Sequence, residues 1–277
     1  MTIEEPQGSL TIVGTGIRVA GQVTIEARAY MEQADKLLFL VADPATNYWI
    51  KKLNPTAESL ETFYQEGKNR LLTYNEMIER ILSCVREGGN VCVAFYGHPG
   101  VFVYPAHEVI KRARLEGFTA KMLPGISAED CLFADIGIDP GTYGCQSFEA
   151  TDFLVHNRRF DPHVSLILWQ IAVIGEIEYR TDQLYSKSGL QVLVEVLEEQ
   201  YGLDHEVIVY EASQYPVCEP VIERVTLAKL PDAHISGIST LYVPPKVGAQ
   251  LNPDMLKRLG IATSKKAYKE MEESSTS

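Results

Sequence analysis

The sequence predicts an α/β protein built from two domains, and three observations support this prediction. Short apolar runs alternate with helical patterns through the first half, which indicates a parallel sheet covered by helices. The motif PGIS at 124–127 then interrupts this rhythm, and the second half contains four strand-like runs but one clear helix. We expect an N-terminal α/β domain at 8–123, a C-terminal α/β domain at 124–249 and a mobile, charged tail at 250–277.

The individual elements follow from hydrophobic periodicity and from residues that start helices. Thr73 and Glu76 have the spacing of a capping box, so a helix is expected to begin at Thr73, and Ser127 is expected to cap another. Strand-like runs lie at 9–13, 36–41, 91–95, 119–123, 164–169, 205–210, 221–225 and 240–243, and helical patterns lie at 22–34, 73–86, 103–116 and 189–200.

The composition excludes several classes of partner. The 277 residues are 45% hydrophobic and 22% charged, enough for a sizeable core, and the net charge of −12 argues against a nucleic-acid partner. The N-terminus lacks the pattern of a signal peptide, and no apolar run is long enough to span a bilayer. Five widely spaced cysteines without a CxxC pair indicate neither a disulfide framework nor a zinc site. We therefore expect a cytoplasmic protein with reduced thiols, without a membrane segment and without a metal.

The first glycine-rich loop follows the first strand. Gly14-Thr15-Gly16 has its next glycine at Gly21, so the spacing departs from the dinucleotide-binding fingerprint. The loop fits either a tight turn or a ligand lying at the carboxyl ends of parallel strands.

The second glycine-rich loop, YGHPGVF at 96–102, follows the third strand-like run and should reach the same sheet edge. Gly97 and Gly100 would let a ligand approach the backbone, and Pro99 would stiffen the loop. Tyr96 and His98 supply polar groups. A simple turn with a satisfied histidine is the alternative, but the combination of features favours a ligand site.

Five motifs together resemble the tetrapyrrole methylase superfamily. They are GTG at 14–16, YGHPGVF at 96–102, MLPGISAE at 122–129, LWQI at 168–171 and YEA at 210–212, and the resemblance runs from about residue 8 to residue 245. The superfamily commonly has an acidic residue where this chain has His98. The YGHPGVF form is most similar to the borosin-type peptide backbone α-N-methyltransferases.

The resemblance implies a two-domain α/β methyltransferase with S-adenosylmethionine in the cleft between the domains and S-adenosylhomocysteine as product. It also implies a set of cofactor contacts. For Gln170 and Thr240, ordinary strand polarity is the alternative. The implied contacts are Tyr96, His98, Val101, Phe102, Ser127, Ala128, Gln170, Tyr210, Ala212, Ser239 and Thr240.

The segment from Tyr64 to Tyr74 offers two phenols and a permanent cation, Arg70. A backbone amide nitrogen is a poor nucleophile, so methylating it needs a base for its proton and donors for its carbonyl oxygen. An arginine beside a phenol lowers the phenol's pKa. Composition alone favours the alternative, a solvated loop before a capped helix.

The borosin resemblance implies roles for this segment. Tyr74 and Arg70 act as the base and its activator, Tyr64 orients the substrate amide, and Tyr96 bridges cofactor and substrate carbonyl. Which phenol takes the proton stays open at this stage.

The partners are also expectations from the resemblance. The chain ends in YKEMEESSTS without an apolar substrate segment, and too few residues follow Pro245 for a helical leader-binding domain. We expect a separate ribosomal precursor peptide, as in split family members, and a homodimer that binds precursor in a 2:2 complex. The alternatives are a methyltransferase for a tetrapyrrole or another small molecule, and a non-catalytic adenosylmethionine-binding scaffold.

Overall fold

The computed structural model describes residues 8–41, 43–180, 186–249 and 251–261. In this part of the chain, ten strands form two five-stranded sheets with helices packed against them. The predicted α/β fold class is confirmed. None of the helices among these residues is long and apolar enough to cross a bilayer.

The first sheet is parallel throughout and has the strand order β3-β2-β4-β1-β5. Its central strands, β1 and β4, are buried on both faces, which explains why their apolar runs are nearly continuous rather than alternating. The elements of this half are β1 (Ser9–Gly14), α1 (Ile25–Gln33), β2 (Lys36–Leu40), α2 (Pro44–Leu53), β3 (Glu58–Ser59), α3 (Arg70–Arg86), β4 (Asn90–Phe95), α4 (Tyr104–Leu115) and β5 (Thr119–Met122), with a 3₁₀ helix at Leu60–Phe63.

The second sheet is mixed and has the strand order β6-β7-β10-β8-β9, in which only β6 and β7 run parallel. Its elements are α5 (Ala128–Ile136), α6 (Pro140–Tyr143), β6 (Cys145–Glu149), α7 (Ala150–Val155), β7 (Ser165–Trp169), α8 (Lys187–Tyr201), β8 (Glu206–Glu211), β9 (Val221–Thr226), β10 (Thr240–Val243) and α9 (Pro253–Arg258), with 3₁₀ helices at Ile171–Val173 and Leu227–Asp232.

The start of α3 differs from the prediction. The helix begins at Arg70, and the Asn69 side chain caps it by accepting the Leu71 N–H at 2.9 Å. Thr73 is fully buried inside the helix, so the capping box predicted from Thr73 and Glu76 is wrong. At the start of α5, in contrast, Ser127 forms a capping box as expected.

Several short elements were not predicted, namely α2, β3, α6, β6 and α7. The tail predicted to be mobile contains a further one, α9, whereas Gln250 and residues 262–277 lie outside the described residues. Residues 123–127 connect β5 of the first half to α5 of the second half. The division into domains at 123/124 stays a prediction.

Three backbone segments make close contact at the carboxyl edge of the first sheet. A Cβ at Gly14 would lie 2.2 Å from the carbonyl oxygen of Gly97 and 2.8 Å from Pro99 Cδ. A Cβ at Gly125 would lie 3.3 Å from Gly14 Cα. Glycine at residue 14 therefore lets the ends of β1 and β4 and the turn after β5 converge.

We expect Gly14→Ala to destabilise the fold by about 1–3 kcal/mol, because the backbone of Gly97 must move to admit a methyl group. The midpoint of thermal unfolding should fall by roughly 2–4 °C per kcal/mol. Gly21→Ala is the matched control, since a Cβ there has its nearest neighbour at 3.7 Å. Equal midpoints for the two variants would contradict the contact.

Candidate functional site

A cavity of about 280 Å³ lies where the carboxyl ends of the first sheet face the second sheet. Ten of the eleven residues predicted as cofactor contacts line it, and Tyr210 is the exception. The lining residues are Ile17, Tyr96, Gly97, His98, Val101, Phe102, Ser127, Ala128, Trp169, Gln170, Ala212, Gly237, Ile238, Ser239 and Thr240.

A larger and more open depression of about 640 Å³ lies along α4 and contains none of the predicted site residues.

Element ends supply most of the lining residues. Tyr96 directly follows β4, Trp169 is the last residue of β7, and Thr240 is the first residue of β10. Ala128 begins α5, whose N-terminus Ser127 caps. The site is thus built at the edge where parallel strands end, as the position of the glycine-rich loops predicted.

The loop after β4 is held in one conformation by its own histidine. The Gly100 N–H donates to His98 Nδ1 at 2.9 Å, which leaves the proton of the neutral ring on Nε2. From α4, His107 Nε2 contacts the Gly100 carbonyl oxygen at 2.9 Å. The polar edge of His98 is therefore oriented before any ligand arrives.

Two non-glycine residues on opposite walls of the cavity have left-handed backbones. Phe102 has φ of 55° and Gln170 has φ of 59°. The Phe102 ring lies 5.6 Å, centroid to centroid, from the ring of Trp169, the neighbour of Gln170. Such conformations are uncommon for residues with a side chain, and they concentrate at ligand sites.

A partly buried network holds the wall that β10 contributes. Glu211 accepts hydrogen bonds from the hydroxyls of Ser236 and Ser239, and the Ser236 N–H donates to Ser239 Oγ at 2.8 Å. This network fixes the turn that carries Gly237 and Ile238 into the cavity.

Tyr96 is the one predicted catalytic residue that lines the cavity. Burial raises the pKa of its phenol to about 12, although a hydrogen bond with Gln214 opposes the shift. Tyr96 is therefore a neutral hydrogen-bond donor near pH 7.

The other three predicted catalytic residues, Tyr64, Arg70 and Tyr74, form a separate cluster that does not line the cavity. Tyr64 lies close enough to both Tyr74 and Arg70 for each of them to act on its pKa. Burial dominates at Tyr64, with Tyr74 adding to it, so the pKa of Tyr64 rises well above its usual range despite Arg70. The expected lowering of a phenol's pKa by Arg70 is thus outweighed at Tyr64.

The start of α4 connects this cluster to the cavity. The Tyr74 ring lies 6.2 Å from the ring of Tyr104, which begins α4 only two residues after Phe102.

Sequence reasoning missed four lining residues, Ile17, Trp169, Gly237 and Ile238. Ile17 directly follows GTG, and Trp169 stands inside the motif LWQI, so both lay beside recognised signals. Gly237 and Ile238 carry no chemical signal and are placed by the serine network. Among the described residues, no three His, Cys, Asp or Glu side chains are grouped so as to hold a metal ion.

The profile of the tetrapyrrole (corrin/porphyrin) methylases matches residues 9–231. The chain belongs to this family. The resemblance stated for the superfamily is therefore confirmed, together with the α/β fold class that it implied. A solved structure of uroporphyrin-III-C-methyltransferase from Thermus thermophilus superposes with a TM-score of 0.61, covering 86% of this chain and 92% of that one. The two sequences are 17% identical, so this similarity concerns the fold.

Relatives with higher identity carry a methyltransferase and a peptide precursor in one protein. The chain is 43% identical over 256 residues to the methyltransferase/ribosomally synthesized cyclic peptide dendrothelin A precursor of Dendrothele bispora. It is 44% identical over 256 residues to the omphalotin A counterpart of Omphalotus olearius. Each match covers 91% of this chain but 61% of the relative.

The match to a third relative covers a larger share of that relative's length. The type I borosin cyclic peptide precursor protein of Coprinopsis marcescibilis is 44% identical over 272 residues, which is 95% of this chain and 70% of that protein. The borosin resemblance is thus supported. The relatives are fusions, and the split arrangement stays a prediction.

We expect Tyr210→Phe to lower the free energy of unfolding by about 1–3 kcal/mol, because the Tyr210 hydroxyl donates to Asp135 Oδ2 at 2.7 Å from a fully buried ring. Urea denaturation measures this change. Tyr143→Phe, at an exposed tyrosine, is the control and should be nearly neutral. If both substitutions were neutral, the structural role of Tyr210 would be refuted.

Proposed function

We propose that this protein is an S-adenosylmethionine-dependent methyltransferase that methylates backbone amide nitrogens of a ribosomally made peptide. One observation carries the proposal: ten of the eleven residues that the borosin resemblance assigns to the cofactor, spread from Tyr96 to Thr240 in the sequence, line a single cavity. The 43% identity to the dendrothelin A methyltransferase/precursor protein supports the choice of a peptide as substrate.

The cavity has the chemical composition that the cofactor requires. Its apolar part, including Val101, Ala128 and Ala212, suits the adenine and the methylene groups, whereas Ser127 and Gln170 offer hydrogen bonds to hydroxyl and carboxylate oxygens. When bound, S-adenosylmethionine supplies an electrophilic methyl group.

The protein's own residues must prepare the amide. The lone pair of an amide nitrogen is delocalised into the carbonyl, so the N–H proton must leave and the carbonyl oxygen needs donors. Tyr64 and Tyr96 have raised pKa values and stay protonated, so each suits donation to the carbonyl oxygen. Proton acceptance is then left to Tyr74, which lies beside Tyr64 in the same cluster as Arg70.

The surface beside this cluster suits an extended peptide. Leu71 and Leu72, on the first turn of α3, are exposed over 53% and 59% of their surface, and Tyr104 at the start of α4 over 44%. Apolar side chains of a peptide can pack on this strip while its backbone reaches the tyrosines. A homodimer, a separate precursor and a 2:2 complex remain predictions of the resemblance.

The test is methyl transfer followed by intact mass. The enzyme is incubated with S-adenosylmethionine and the peptide encoded beside its gene, and fragmentation locates each added methyl group. We expect additions in steps of one methylene mass on backbone nitrogens of that peptide. Additions on the enzyme's own chain would support backbone methylation but refute the separate precursor. Methylation of uroporphyrinogen III, with none on any peptide, would refute the peptide proposal.

A variant pair tests the catalytic roles in the same assay. Tyr74→Phe should slow methyl transfer by about 10²-fold or more, since it removes the group that takes the proton. Arg80→Lys, farther along α3 in an ion pair with Glu58, should transfer methyl groups at the wild-type rate. A Tyr74→Phe variant that is folded and fully active would refute the assignment.

A further inference from the structure

A short segment of the second half crosses to the first half and binds the tyrosine–arginine cluster. Asn69 and Glu178 form an antiparallel bridge. The Gly67 N–H donates to the Tyr179 carbonyl at 2.9 Å, and the Tyr179 N–H donates to the Lys68 carbonyl at 3.0 Å. These contacts join residues more than a hundred positions apart in the sequence.

The same segment, residues 177–179, also contacts two of the predicted catalytic residues, Arg70 and Tyr64. The Arg70 N–H donates to the Ile177 carbonyl at 3.2 Å, and Arg70 Nε donates to the Glu178 carbonyl at 3.3 Å. The Tyr179 ring packs against the Tyr64 ring with 4.7 Å between centroids and 34° between planes. Segment 177–179 therefore fixes the backbone of Arg70, one of its guanidinium nitrogens and one face of Tyr64.

The segment also connects the cluster to the cavity. It follows Gln170 through the 3₁₀ helix Ile171–Val173, two of whose residues are buried in the core of the second half. Because Gln170 lines the cavity, one continuous stretch of chain links a cavity wall to Tyr64 and Arg70.

We infer that segment 177–179 is a strap that positions Tyr64 and Arg70 relative to the cavity, with the ring of Tyr179 as its positioning residue. This inference rests on the proposed function, since it assigns a role in that reaction. Misplacement of a reacting group by about 1 Å costs up to about 10²-fold in rate, so a packing contact at this place affects turnover. Tyr179 acts through Tyr64 and needs no contact with substrate.

The first readout is independent of activity. Hydrogen exchange followed by mass spectrometry on peptides covering 64–74 reports the Gly67 and Arg70 amides. Tyr179→Ala should speed their exchange, whereas Tyr179→Phe, which keeps the ring, should not. Phe160→Leu is the matched control, because it removes an aromatic contact with Tyr201 in the core of the second half. It should leave the exchange rates of the Gly67 and Arg70 amides unchanged. Unchanged exchange in Tyr179→Ala would overturn the inference.

The second readout is kinetic. Tyr179→Ala should lower kcat for methyl transfer about tenfold while the Kd for S-adenosylhomocysteine stays within about twofold, and Tyr179→Phe should restore kcat. In a Tyr64→Ala background, Tyr179→Ala should cost less than about twofold, because the two residues act as a unit. Additive effects, or a full kcat in Tyr179→Ala, would overturn the positioning role. An inactive wild type refutes the proposed function instead, and the exchange experiment then still decides whether the strap holds the cluster.

Discussion

Gly14, Gly97 and Gly125 bring three backbone segments into contact at the carboxyl edge of the first sheet. The contact closes the tip of the sheet, and an isolated antiparallel bridge joins Gly16 and Gly97 beyond the ends of β1 and β4. The loop from Tyr96 to Phe102 leaves the sheet from this point, and α5 begins just after Gly125. Most of the first-half wall of the cavity therefore depends on an approach that a side chain at Gly14 would prevent.

The second half contributes through polar contacts that are buried or half-buried. Glu211 gathers two serine hydroxyls behind the cavity wall, and such a network is stabilising only while every member keeps its partner. Tyr210 and Asp135 form a similar pair beneath the cavity, where burial and the carboxylate together raise the pKa of the phenol far above its usual range. Glu211, Tyr210 and Asp135 shape the site without lining it, so their effects on function and on stability are separable.

Ten of the eleven residues predicted as cofactor contacts lie around one cavity, whereas the predicted start of α3 is wrong. Strand ends and glycine-rich loops are local signals, and the parallel sheet brings them together without further information. The resemblance supplied the distant members such as Ser239 and Thr240. Tyr210 was expected with them, but its side chain is directed to Asp135, and a neighbour in the motif, Ala212, lines the cavity.

The start of α3 shows why other features of the structure could not be predicted from the sequence. Thr73 and Glu76 formed a plausible local cap, yet the helix begins at Arg70, whose N–H bonds to the carbonyl of Ile177. That partner lies far along the chain, and no local pattern indicates it. Tyr179 could not be predicted for the same reason. Its role depends on contact with Tyr64, which is distant in the sequence, and no local pattern around Tyr179 indicates that contact. Burial also outweighs the lowering effect of Arg70 on the pKa of Tyr64, and burial is a property of the folded protein.

The central claim is that the cavity between the two sheets holds the methyl donor. Titration calorimetry with S-adenosylhomocysteine tests it most directly, on the wild type, on Ala128→Trp to fill the cavity, and on Tyr210→Phe as a variant outside the lining. We predict one saturable site per chain in the wild type and in Tyr210→Phe, and none in Ala128→Trp with circular dichroism unchanged. Wild-type affinity in a folded Ala128→Trp variant would contradict the account.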